Sequence, residues 1–98
     1  MKSLLPPVHP GEILKVEYLE ELGLSAGALA RKLRVPRTRI ERLIAEQSPV
    51  TIDTALRLAR YFDTTPQFWM NLQVSYDLKI AEAEKREELA TIPVISAA

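Results

Sequence analysis

Residues 25–44, SAGALARKLRVPRTRIERLI, hold two helical patterns separated by a short break at Arg34-Val35-Pro36. Proline has no N–H to donate and disfavours a helical predecessor, so one helix must end ahead of it and another can begin there. The same twenty residues carry Arg31, Lys32, Arg34, Arg37, Arg39 and Arg42 against a single acid, Glu41, a net of +5. The chain as a whole is neutral, with 13 basic and 13 acidic residues. Residues 1–24 carry −2, residues 45–76 carry −1 and residues 77–98 carry −2. The positive charge is therefore local, which favours a polyanion held at one face over general basicity.

Two short, closely joined helices with concentrated positive charge suit a helix-turn-helix reader of DNA. The first of these two patterns, helix two of the chain, opens on Ser25, a good N-cap, and places Leu29, Ala30 and Leu33 inward with Arg31 and Lys32 outward. Ala30 is small where another helix must cross closely. The other pattern, helix three, runs from about Pro36 to Ala45. It turns Ile40, Leu43 and Ile44 inward and leaves Arg37, Thr38, Arg39, Glu41 and Arg42 outside.

The flanks read as further helices. Residues 1–8 contain two prolines and no period, and are expected to be a flexible arm. His9-Pro10-Gly11-Glu12 opens a first helix whose apolar face is Ile13, Leu14, Tyr18, Leu19 and Leu22, with Gly23 as a left-handed stop. Gln47-Ser48-Pro49 is a loop. Thr51 caps a fourth helix with Ile52, Ala55, Leu56, Ala59 and Phe62 at helical spacing. Thr65-Pro66 starts a fifth, with Phe68, Trp69, Leu72, Tyr76 and Ile80 along its stripe, reaching about Lys85. Residues 86–98 read as a tail. Ile92 to Ala98 is β-prone but short and broken by proline, a loose end or a strand for a partner's sheet edge. The expected fold is all-α: one five-helix domain over 9–85, between the arm and the tail.

Composition excludes much. No apolar run approaches the ~20 residues of a membrane span. No cysteine is present, which removes disulfides and thiolate metal sites. A cytoplasmic location follows by default. His9 stands alone, and Glu20/Glu21 and Glu87/Glu88 are sequence neighbours that diverge on a helix, so no acid–base pair forms. The chain is not expected to be an enzyme, nor to need a metal or cofactor. Trp69, Phe68 and Tyr76 suit a core or dimer contact better than a ligand cage.

HPGEIL (9–14), the helix pair at 25–44, TALRLARYF (54–62) and FWMNLQVSYDL (68–78) together resemble HigA-type (VapI-like) antitoxins. These belong to the Cro/lambda-repressor-like XRE helix-turn-helix group, and the resemblance spans roughly residues 9–80. It implies a lambda-repressor-like domain that binds double-stranded operator DNA as a homodimer and represses its own operon. It also implies neutralisation of a small HigB-like toxin, an mRNA-cleaving RNase. Matching the family's base-reading positions gives Arg37, Thr38, Glu41 and Arg42. Arginine can bind guanine O6 and N7 with two parallel bonds; glutamate can accept from cytosine N4. Glu41 can equally hold Arg37 one turn away.

Phosphate contacts are expected from Ser25 at a helix N-terminus, and from Lys32, Arg34, Arg39, Gln47 and Ser48. Trp69, Leu72, Tyr76 and Ile80 on helix five are expected at the dimer interface. The family often has Gln at the start of helix two, where this chain has Ala26 and Gly27, and Gly at the turn, where it has Arg34. A left-handed Arg34 costs about 1 kcal/mol. Two other readings stay open: a module that blocks a toxin without using DNA, and an XRE regulator with no toxin.

Overall fold

A computed structural model describes residues 6–96. Among them are six helices and no strand. α1 is one continuous run in three windings: α over Pro10–Ile13, π over Leu14–Leu19 and α again over Glu20–Leu22. α2 spans Ala26–Leu33, α3 Arg37–Ile44, α4 Ile52–Phe62, α5 Pro66–Glu84 and α6 Arg86–Ala90. Of the expected arm, residues 1–5 lie outside the described residues, and Pro6 to Val8 is exposed without regular structure.

The expected caps are in place. Ser25, Thr51 and Thr65 each accept a backbone N–H three residues on, from Ala28, Thr54 and Phe68. Gly23 is left-handed at φ 61°, and Leu24 N–H reaches back to the Leu19 carbonyl at 2.9 Å. Arg34 takes the same conformation at φ 61°, with Val35 N–H on the Ala30 carbonyl at 3.0 Å. The break between α2 and α3 is therefore a tight left-handed turn made without glycine.

Three expectations change. The π winding widens α1, so Leu14 and Leu19, five residues apart, both enter the core. Leu22, expected on the same face, lies in the last turn before Gly23 and is 60% exposed. On α4 the buried face is Thr54, Ala55, Leu58 and Ala59, while Ile52 and Leu56 lie on its exposed flank. The alternatives differ by part of a turn, and packing against α2 and α5 selects between them. The expected tail begins as a helix instead: Arg-Glu-Glu-Leu-Ala is rich in helix formers, and among the described residues of the tail only 91–96 lack regular structure. Ala97 and Ala98 lie outside the described residues.

Trp69 is the largest core residue and is 0% exposed. Its Nε1–H donates to Thr64 Oγ1 at 2.9 Å, and its ring meets Tyr18 at 5.1 Å and Phe68 at 5.0 Å. It has no surface to offer a second chain, so its expected place in a dimer interface is corrected. Leu72, Tyr76 and Ile80 keep part of their surface. Beyond Ala81, α5 and α6 are exposed throughout, and the molecule measures 57 × 22 × 22 Å.

Candidate nucleic-acid interface

α3 is held on three sides. At its C-terminal end, α1 approaches backbone to backbone. A β-carbon on Gly11 would lie 1.8 Å from the Leu43 carbonyl oxygen, so only glycine fits. His9 fixes that corner: its Nδ1 accepts from Gly11 N–H at 2.9 Å, and its buried ring meets the edge of Tyr76 at 4.8 Å. Inside, Ile40 and Leu43 are fully packed. On the α4 side, Asp53 Oδ2 accepts from both Arg39 Nη1 and Arg57 Nε, and Arg57 Nη1 donates to the Leu33 carbonyl at 2.8 Å. Arg57 thus satisfies a last-turn carbonyl of α2 while its carboxylate partner holds α3. These two guanidinium bonds hold the Asp53 carboxyl below its ordinary value, Arg39 contributing most.

This scaffold leaves the outer face of α3 exposed. Arg37, Thr38, Glu41 and Arg42 all reach solvent. Thr38, Arg39, Arg42 and Ser48 surround one open cleft, closed on the far side by Thr51 and Asp53 at the start of α4. Arg37 lies on the opposite flank, with its Nε 3.5 Å from Glu41 Oε2. Ser25 sits apart, in a shallow depression with Lys15 and Ile44. Lys32, Arg34 and Gln47 are exposed, outside both depressions. Of the six cations in 25–44, Arg31, Lys32, Arg34 and Arg42 form no ion pair among the described residues.

The loop after α3 is also fixed. Glu46 is left-handed at φ 62°, and Gln47 N–H bonds the Arg42 carbonyl at 2.8 Å. Gln73, buried on α5, accepts from Val50 N–H at 2.7 Å and donates to Asp77 at 3.0 Å. Sequence reasoning passed over Gln73, Arg57 and Gly11 as site-positioning residues. The Asp53–Arg57 spacing of four was a visible signal; the approach of Gly11 to α3 had none within its own segment.

An exposed, arginine-rich helix held behind a tight turn by a second short helix defines a helix-turn-helix protein. The family model described as "Helix-turn-helix" matches residues 16–69. The chain is 50% identical over 93 residues to virulence-associated protein I of Dichelobacter nodosus, covering 95% of this chain and 86% of that protein. It is 39% identical over 87 residues to antitoxin HigA-1 of Vibrio cholerae, covering 89% and 82%. The structure of Pseudomonas aeruginosa antitoxin HigA with the higBA promoter superposes with a TM-score of 0.89 at 44% identity, covering 92% of this chain and 99% of that one. The chain belongs to the XRE-type helix-turn-helix family, in its HigA-type, VapI-like branch.

Proposed function

We propose that this chain is the DNA-binding antitoxin of a type II toxin–antitoxin module. It binds operator duplex as a homodimer, represses its own operon and neutralises a HigB-like RNase toxin in the cytoplasm, without enzymatic chemistry of its own. The observation that carries this reading is the outer face of α3. Arg37, Thr38 and Arg42 are exposed there on a frame like that of an antitoxin solved with its promoter.

Arg42 and Thr38 read base edges from the cleft side, and Arg37 reads from the opposite flank. Glu41, paired with Arg37, orients that arginine and can accept from cytosine. Ser25, Lys32, Arg34, Gln47 and Ser48 meet phosphates. Arg39 does so from within its pair with Asp53. Half-surfaced Leu72, Tyr76 and Ile80 on α5 suit the dimer contact that places two α3 helices on two half-sites.

The test is an anisotropy titration on the duplex upstream of its own reading frame, at two salt concentrations. Selective, salt-sensitive binding is expected; affinity equal to that for random duplex sinks the operator reading. Arg42→Ala is expected to relax selectivity, whereas Arg39→Ala weakens all duplexes alike. Identical behaviour of the two overturns these roles. Growth rescue on co-expression with the neighbouring frame tests the toxin arm. Rescue retained in Arg37→Ala/Arg42→Ala separates it from DNA binding.

A further inference from the structure

We propose that Gly27 is a specificity-determining position, acting by setting where Arg37 points; this rests on α3 being the reading helix. Gly27 lies in the first turn of α2, and its backbone does not require glycine, since Gly23 is the one glycine with a positive φ. Glycine is a poor helix former, so its presence there is a local disadvantage. Its effect lies outside the helix. A β-carbon at position 27 would stand 3.0 Å from Arg37 Cδ, 3.7 Å from Arg37 Cγ and 4.0 Å from Arg31 Nη1.

The stem of Arg37 therefore rests against α2 at Gly27, in space that any larger residue would begin to fill, while most of the side chain stays exposed. On its other side Glu41 Oε2 lies 3.5 Å from Arg37 Nε. The arginine is set between Gly27 of one helix and a carboxylate on its own. Two parallel bonds to one guanine demand that the guanidinium plane be correctly placed. A displacement of a few tenths of an ångström at Cδ shifts the point from which the guanidinium is aimed, and so changes which orientations keep its contact with Glu41. The ligand feature concerned is one base pair in each half-site, a guanine at the position Arg37 meets.

The full-length chain and its Gly27→Ala variant are each used to select duplexes from a random-sequence pool, and melting is followed by the fluorescence of the sole tryptophan, Trp69. Gly27→Ala is expected to raise the melting temperature by about 2–6 °C, because the exposed stem can yield while the helix gains a better former. Its selected pool is expected to lose preference at one base pair of the half-site. Affinity for the wild-type-selected duplex should fall roughly 5–50-fold, the lower part of what a whole bidentate contact contributes. In an Arg37→Ala background the same change should matter less than about two-fold.

Four results overturn the proposal. These are an unaltered base preference with a raised melting temperature, a full-sized effect without Arg37, a lowered melting temperature, and a wild-type pool with no enrichment. The last removes the DNA-reading function itself. The first three leave that function standing and remove only the role of Gly27.

Discussion

Arg34 and Asp53 bear on local stability in opposite senses, one through a strained turn and the other through a paired carboxylate. Arg34 occupies a left-handed turn at φ 61°, where a side chain costs about 1 kcal/mol relative to glycine. Arg34→Gly should therefore stabilise the fold by about that amount, read as a higher denaturant midpoint. It should also weaken binding to all duplexes and lower the salt slope by about one, as expected for the loss of one phosphate contact. An unchanged slope would remove Arg34 from the phosphate set. Asp53 is held below its ordinary carboxylate value of 3.8 by Arg39 and then Arg57. A carboxyl with a lowered folded value contributes stability that is present above the ordinary value and lost as pH falls through the lowered one. Wild-type stability should thus decline below about pH 4 more steeply than that of Asp53→Asn. Parallel acid limbs in chemical denaturation would show that the pair carries no linkage.

At the scale of elements, caps and breaks were legible because they are local chemistry. Ser25, Thr51 and Thr65 satisfy N–H groups of their own helices, and Gly23 ends α1 through its own backbone. The faces of α1 and α4 were harder to read. The π turn at Leu14–Leu19 changes the helical period itself, and α4 offers two overlapping apolar stripes that only its neighbours can choose between. The outward face of α3 was legible for the converse reason: charges with no core to enter must face water. The pairing of Arg39 with Asp53, fourteen residues away, joins two elements and could not be read within either. Gln73 belongs to the same class, a side chain of α5 that holds the loop after α3. Gln73→Ala leaves the buried Val50 N–H without its partner, which should cost about 1–3 kcal/mol. Denaturant melts check the magnitude. Hydrogen exchange at Val50 should quicken, and exchange at the wild-type rate would refute the brace.

At the scale of the whole molecule, the packed part and the elongated part are different regions. The core closes around Trp69, while α6 buries no residue. Removing residues 86–98 should shift the melting temperature by less than about 2 °C, since stability follows buried apolar surface. A larger drop would mean the terminal segment packs more tightly than its exposure shows. That outcome would make the proposed DNA face and the end of α5 energetically separable.

The exposed reach beyond Ala81 has a consequence for how long the protein lasts. A protease needs an extended strand, and the backbone around Lys85 and Arg86 can supply one by local fraying, with no loss of the core. Nicking there would track the free energy of local opening, not that of global unfolding. Turnover of the chain and stability of its DNA-reading fold can therefore be tuned by different residues.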